Sequence, residues 1–159
     1  ILNVDISFLS ILLGNNTFSS LFVLLCFLFV INGANLIDGF NGLLTINLII
    51  INSILAYINL ADGINEFSVV IIGQIIVLFS FLLFNFPSAK LFLGDSGSYL
   101  LGSLVALNVI ITNNLNPDYS SFFFCTLLFY LFFEVFCSFF RKIIQKNHRF
   151  IQTANIFTC

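Results

Sequence analysis

The stretch NGANLIDGFNGLL, residues 32–44, interrupts a chain that otherwise consists mostly of Phe, Ile and Leu. It places three Asn, one Asp and three Gly within thirteen residues. Long apolar segments flank it on both sides, and a helix that crosses a bilayer needs about 20 apolar residues. We interpret the stretch as a polar connection at a membrane surface, between the first and second of several transmembrane helices.

The composition indicates an integral membrane protein with a single transmembrane domain. Of the 159 residues, 60% are hydrophobic and 8% are charged, whereas soluble chains carry about 25% charged residues. The four cysteines lack CxxC spacing, so we expect neither a disulfide framework nor a cysteine metal site. We expect no nucleic-acid partner. The chain begins at Ile1 and contains no Met, and we therefore expect the natural protein to extend upstream.

Five apolar stretches predict an all-α polytopic membrane protein with about five transmembrane helices. The stretches are continuously apolar, whereas the strands of a membrane barrel would alternate. Residues 1–13 are apolar but short, and they are either the end of an upstream helix or an interfacial segment. The predicted spans are residues 18–34, 41–60, 67–85, 95–112 and 119–140.

The basic residues predict the orientation of these spans. Lys90 lies between the third and fourth spans, and the other four basic residues lie in a basic tail, residues 141–159. With five alternating spans, both regions fall on one side of the membrane, which the positive-inside rule assigns to the cytoplasm. The connection at residues 32–42 falls on that side as well.

The first polar connection has a regular spacing, because Asn32, Asn35, Asp38 and Asn41 recur every three residues. On a helix this spacing places the side chains along one side, where they would offer donors and acceptors to a polar ligand. The alternative is an ordinary turn, for which Asn and Gly are common residues.

A second polar stretch, NFPSAKLFLGDSGSYLLGS, occupies residues 85–103. Pro87 ends the third span, and Asp95 precedes the next apolar run. As a helix cap Asp95 would have a purely structural role. As a Mg²⁺ ligand it would act with a substrate phosphate, because Mg²⁺ takes hard oxygen ligands. Asp38 and Asp95 are the only acidic residues on the predicted cytoplasmic connections, and we therefore favour the functional interpretation.

These two stretches resemble the polyprenyl-phosphate N-acetylhexosamine-1-phosphate transferases, which form glycosyltransferase family 4. The segment FFEVFCSFFRKI, residues 132–143, is similar to a Glu-bearing helix of that family. The resemblance implies a bacterial inner-membrane enzyme with a cytoplasmic active site. It would transfer a sugar-1-phosphate from a UDP-N-acetylhexosamine, with UDP-N-acetylglucosamine as the first choice, to undecaprenyl phosphate. UMP would be released, in the synthesis of cell-envelope polysaccharide.

The resemblance also implies roles for single residues. Asp38 and Asp95 are the expected catalytic residues, with Asp95 as the ligand of the cofactor Mg²⁺. Phe92 matches an aromatic residue that stacks on uracil. The expected substrate-binding residues are Asn32, Asn35, Asn41 and Phe92. Asn41 stands where many members carry a second Asp. A homodimer is one assembly that we leave open.

Two features of the family are not found in the chain. An Asp-Asp pair that precedes the first motif in the family is absent, as is a His-rich loop after the last span, where this chain has only His148. We expect Glu134 to pair with Arg141 rather than to act in catalysis. Two alternatives to an active transferase therefore stay open, a transporter or channel subunit and a catalytically inactive truncated remnant.

Overall fold

The structure is a computed structural model that describes the backbone of residues 16–156 and the side chains of residues 17–144. Within this range every regular element is an α-helix, which confirms the predicted all-α class. Our expectations for residues 1–13, and for the tail side chains beyond residue 144 with His148 among them, lie outside the described residues. The helices are α1 (Asn16–Ile37), α2 (Leu43–Ala61), α3 (Asn65–Asn85), α4 (Gly94–Leu115), α5 (Ser121–Leu127) and α6 (Phe129–Ile156).

Helices α1 to α4 are each long and apolar enough to cross a membrane. Their ends lie within three residues of the predicted span ends. The breaks follow local chemistry, since α3 ends in front of Pro87 and α2 begins directly after Gly42, whose φ is +75°. Hydropathy and turn residues therefore suffice to locate these four spans.

The prediction of one continuous fifth helix over residues 119–140 is wrong in its form. The segment is divided into α5 and α6, which meet at Leu128 with a bend of 57° and count as one span only when taken together. No Gly or Pro lies in this segment, so its hydropathy carries no sign of the break. The Thr126 hydroxyl donates to the Phe122 carbonyl one turn earlier, at 2.8 Å, and such bonds tend to bend helices.

Helix α4 lies at the centre of the packing. It contacts both α1 and α2, while α3 packs on α2 and α6 packs on α1. The apolar core includes the α2 residues Leu44, Leu48, Ile51 and Leu55, which recur at helical spacing and are almost fully buried. Large apolar side chains remain exposed on the outer face of α3, as is usual for a helix in a bilayer.

Amide side chains link α2, α3 and α4 inside the bundle. Asn108 on α4 donates to Asn52 on α2 at 3.0 Å and to Gln74 on α3 at 2.6 Å. One end of α4 is linked in the same way, because Asn116 donates to Asn59 at 3.0 Å. Such interhelical amide bonds help to hold the helices of a membrane bundle together.

Glu134 and Arg141 also meet as predicted, with 4.0 Å between Oε1 and the Nη2 atom. Arg141 donates a second bond to the Ser138 hydroxyl at 3.0 Å. The charge of Glu134 is therefore compensated within its own helix.

Candidate functional site

The polar connection between α1 and α2 is a turn and not the continuation of a helix. Helix α1 ends at Ile37, so only Asn32 and Asn35 are helical, while Asp38 and Asn41 lie in the turn. The expectation of one helical row of four side chains is therefore wrong. At the end of the turn Gly42 adopts φ +75°, and an added Cβ would lie 3.1 Å from side-chain atoms of Leu82 and Phe86. The left-handed backbone of Gly42 thus leads into α2, whereas α1 has already ended at Ile37.

The two polar connections meet at one end of the bundle, which we call the polar end and define as residues 32–42 and 85–98. Asn85 connects them through both ends of its amide. Its Oδ1 accepts from the Gly42 backbone N–H at 2.5 Å, and its Nδ2 donates to the Leu91 carbonyl at 2.8 Å. Asn41 donates to the Pro87 carbonyl at 3.4 Å. The expectation that both motifs lie on one side of the bundle is confirmed.

Asn35 and Asp95 are in direct contact although sixty positions separate them. The Asn35 Nδ2 atom donates to Asp95 Oδ1 at 3.2 Å and to the Ser98 hydroxyl at 3.0 Å. Ser98 in turn donates to the Asp95 backbone carbonyl at 3.0 Å. Asp95 lies inside the first turn of α4, and the residue at the N-cap position is Leu93, which makes no side-chain cap bond. Asp95 therefore bonds across helices and does not act as the expected alternative, an N-cap.

The two carboxylates of the polar end influence each other. The pKa of Asp38 is raised above its ordinary value, first because partial burial disfavours the charged form and second because the Asp95 carboxylate is close. Two neighbouring carboxylates repel each other, and a cation bound near both would relieve this repulsion. The site is electrostatically suited to a positively charged ligand or a metal ion.

The carboxylates fit an incomplete Mg²⁺ site. Within the described part of the chain, no group of three or more His, Cys, Asp and Glu side chains could hold a metal alone. Mg²⁺ commonly takes one or two carboxylates and completes its shell with water and substrate phosphates. Asp38 and Asp95 supply that number of carboxylates, and Asp95 is exposed and accessible. The donor set thus suits a metal that arrives with a phosphate-bearing ligand.

Two other predicted site residues, Asn32 and Phe92, are exposed at the polar end. Asn32 is exposed and donates to the Leu28 carbonyl of its own helix at 2.7 Å. Phe92 lies in the connection before α4 with 76% of its surface exposed, so its ring is free to stack on a planar ligand. Asn32 and Phe92 make no described hydrogen bond to the two carboxylates, and their roles stay predictions.

Sequence reasoning missed Ser98 and Asn85. Ser98 follows Asp95 by three residues, so on a helix beginning at Gly94 it faces the same side. Asn85 is a buried amide at the end of an apolar helix, where an unpaired amide would be costly. Both features can be read from the sequence, but neither identifies the residue to which the side chain bonds.

A separate cavity of about 310 Å³ lies between α1, α4 and the bent pair. Its lining is mainly apolar and contains none of the residues of the two polar connections.

Comparison with known proteins places the chain in a family. The family model described as glycosyl transferase family 4 matches residues 1–113. An undecaprenyl-phosphate alpha-N-acetylglucosaminyl 1-phosphate transferase from Thermotoga maritima is 32% identical over 81% of this chain and 38% of its own length. A phospho-N-acetylmuramoyl-pentapeptide-transferase from Leuconostoc mesenteroides is 43% identical over 50% of this chain and 25% of its own length.

A third relative comes from Sulfolobus acidocaldarius. It is provisionally named as a UDP-N-acetylglucosamine–dolichyl-phosphate N-acetylglucosaminephosphotransferase and is 42% identical over 46% of this chain and 23% of its own length. The chain thus spans well under half the length of these relatives. No solved structure shows a significant match. The family match covers both polar motifs and most of the chain, and we conclude that the chain belongs to glycosyl transferase family 4.

Proposed function

We propose that the protein transfers a sugar-1-phosphate from a UDP-N-acetylhexosamine to a polyprenyl phosphate and releases UMP. The observation that carries this proposal is the contact of Asn35 with Asp95, at the same end of a membrane-spanning bundle as Asp38. A lipid-linked acceptor and a soluble nucleotide sugar can meet only at a membrane surface. Family membership supports the same reaction class.

We propose UDP-N-acetylglucosamine as the first donor to test. The names of the relatives from Thermotoga maritima and Sulfolobus acidocaldarius both specify N-acetylglucosamine, whereas that from Leuconostoc mesenteroides specifies N-acetylmuramoyl-pentapeptide. The carriers in those names also differ, since one is undecaprenyl phosphate and another is dolichyl phosphate. We propose undecaprenyl phosphate as the acceptor, with cell-envelope polysaccharide synthesis in a bacterial inner membrane as the setting.

The residues of the polar end suit the requirements of phosphoryl transfer. Such transfer depends mainly on positioning and on stabilising charge at the phosphates. We propose that Asp95, oriented by Asn35, binds Mg²⁺, with Asp38 as a second carboxylate beside it. When bound, Mg²⁺ would neutralise the charge that develops on the leaving UMP. Phe92 would hold the uracil ring by stacking, and Asn41 would line the sugar side of the site.

A carrier would need polar groups that face a substrate pathway within the membrane. Several amides that lie within the spans bond instead to each other, as the Asn108 contacts with Asn52 and Gln74 illustrate. They therefore hold helices together, and we place the transferase ahead of the transporter. An inactive remnant is tested directly by the experiment below.

The test is an assay of UMP release in membranes that contain the protein as its gene encodes it. We expect release that depends on Mg²⁺, a UDP-N-acetylhexosamine and undecaprenyl phosphate together. Asp95→Asn should abolish this release, because the amide cannot replace the carboxylate as a metal ligand. Membrane insertion should be unaffected, since Asp95 is exposed.

Asp62→Asn and Asp118→Asn are the matched controls, because both carboxylates are exposed and lie at the other end of the bundle. We expect both controls to retain normal activity. Unchanged activity in Asp95→Asn would refute the metal assignment. No release from the unmodified protein with any of several UDP-sugars would refute the transferase and favour the inactive remnant.

A further inference from the structure

We propose that Gly102 and Ser98 are positioning residues. Gly102 lets α1 and α4 approach closely. Ser98, one helical turn away from Gly102, holds Asn35 beside Asp95. The activity part of this inference rests on the proposed function, whereas the structural part can be measured without any substrate.

Helices α1 and α4 pack closely where they cross at Gly102. A Cβ added to Gly102 would lie 2.8 Å from the Ala34 Cβ and 3.2 Å from the Ile31 Cα. Atoms of this kind prefer separations of about 3.5–4.0 Å. The crossing therefore tolerates only a hydrogen at position 102, and an Ala there would force the helices apart by roughly 1 Å.

The crossing of α1 and α4 lies next to the polar end. Asn35 follows Ala34 directly, and Ser98 lies one turn before Gly102, so both residues belong to the same crossing. The bonds from Asn35 to Ser98 and Asp95 measure 3.0 and 3.2 Å. Ser98 is fully buried. A further separation of roughly 1 Å would take both contacts beyond hydrogen-bonding distance.

Helix α1 cannot easily move aside, because α6 also packs closely against it. On another side of this helix, a Cβ added to Gly33 would lie 2.9 Å from the Leu131 carbonyl carbon and closer still to its oxygen. The backbones of α1 and α6 are thus already in close contact. Because both neighbours approach the end of α1 at short range, the position of Asn35 is set by packing as well as by hydrogen bonds.

Loss of the bond between Asn35 and Asp95 should affect the reaction in a specific way. Asn35 contacts Oδ1 of Asp95, and this bond fixes the direction of the carboxylate. Without it the Asp95 carboxylate would lose this orientation. We expect such a loss to lower kcat and to raise the Mg²⁺ concentration needed for half-maximal activity, with little change in KM for the UDP-sugar.

The experiment compares Gly102→Ala and Ser98→Ala with matched controls in the same membranes. Gly73→Ala is the control for the first, because Gly73 is also helical but has nothing within 4 Å of an added Cβ. Ser103→Ala is the control for the second, since its hydroxyl bonds only the Leu100 carbonyl of its own helix. We expect kcat to fall about 100-fold in Gly102→Ala and about tenfold in Ser98→Ala. Both controls should stay within about twofold of the unmodified protein.

A second-site variant separates positioning from a general folding defect. Ala34→Gly removes the Cβ with which a methyl group at position 102 would collide, so Gly102→Ala combined with Ala34→Gly should regain most of the lost kcat. Amide hydrogen exchange is the measurement that needs no substrate. Gly102→Ala should accelerate exchange in residues 31–38 relative to Gly73→Ala, and the double variant should reverse this change.

The outcomes distinguish the two proposals. If the unmodified protein transfers no sugar, the proposed function fails, and hydrogen exchange alone then decides whether Gly102 sets the crossing. Equal exchange in Gly102→Ala and Gly73→Ala would overturn the positioning role. So would normal kcat and normal Mg²⁺ dependence in both Gly102→Ala and Ser98→Ala. If Gly102→Ala does not fold, Ser98→Ala and the double variant carry the test.

Discussion

At the scale of single residues, Asp38 is the group whose ionisation opposes folding. Burial and the neighbouring Asp95 raise its pKa in the folded protein. The folded state therefore holds the proton more tightly than the unfolded state does. Stability contributed in this way is complete at low pH and is lost as the pH rises from the ordinary Asp pKa through the raised one.

Because the raised pKa makes ionisation of Asp38 destabilising, it predicts the effect of Asp38→Asn in the absence of divalent cations. The variant lacks the ionisation cost, so its thermal midpoint at pH 7 should exceed that of the unmodified protein by about 2 °C. The gain should vanish at pH 3, where Asp38 is protonated in both states. Thermal unfolding in detergent, followed at both pH values, provides the measurement.

The control for this prediction is Asp62→Asn, which removes a carboxylate from an exposed turn at the other end of the bundle. It should leave the midpoint unchanged. Addition of Mg²⁺ should also reduce the advantage of Asp38→Asn, because a bound cation stabilises the ionised form. A lower midpoint for Asp38→Asn at pH 7 would contradict the proposed cause.

Asn85 gives a second prediction at this scale. Its truncation in Asn85→Ala leaves the Gly42 N–H and the Leu91 carbonyl without their described partner. We expect a loss of about 2 kcal/mol in the free energy of unfolding. Hydrogen exchange in residues 86–93 should accelerate as well. Asn65→Ala, at the exposed start of the same helix, is the control, and an equal effect of both variants would refute the connecting role of Asn85.

At the scale of helices, the buried amides are the most specific contacts in the bundle. Asn108, Thr112 and Asn116 lie four residues apart on α4 and face α2. Lipid offers no competing hydrogen bonds, so these amides pair most favourably with each other. The pairing fixes the register of α4, and α4 carries Asp95 at its first turn.

We therefore predict that Asn108→Ala destabilises the bundle by about 1–2 kcal/mol, since measured interhelical bonds in membranes rarely exceed this range. Thermal unfolding in detergent would detect the change. The control is Asn114→Ala, which changes an exposed amide on the same helix. This variant should be close to neutral in stability. Equal destabilisation by the two variants would show that the loss arises from the helix and not from the amide network.

The helices also show how far the sequence alone reaches. The first four spans follow from apolar length together with Gly and Pro, because these determinants are local. The break at Leu128 does not, since it lies in a run of Phe and Leu without a helix-breaking residue. The polar motifs are likewise visible in the sequence, but the three-residue spacing predicts one helix where the chain turns after Ile37 and Gly42 adopts a positive φ. Local pattern cannot reveal a contact such as that of Asn35 with Ser98, which depends on how closely two helices cross.

At the scale of the whole molecule, the geometry of the polar end and the distribution of charge support each other. The bonds between residues 41–42 and residues 85–87 place both polar connections at one end. The connection between α2 and α3, which holds Asp62 and Glu66, lies at the other end and contains no basic residue. Because Lys90 belongs to the polar end, the positive-inside rule predicts that this end faces the cytoplasm.

This assignment is tested with single cysteines in a protein whose own cysteines are replaced. Ser88→Cys reports on the polar end and Asp62→Cys on the opposite end, and both positions are exposed. A membrane-impermeant maleimide should label position 62 but not position 88 in intact cells. In inside-out vesicles the pattern should reverse. Detergent should expose both positions, which controls for reactivity. Labelling of position 88 from outside would invert the topology and leave the polar end without access to a cytoplasmic nucleotide sugar, so the proposed transferase would fail with it.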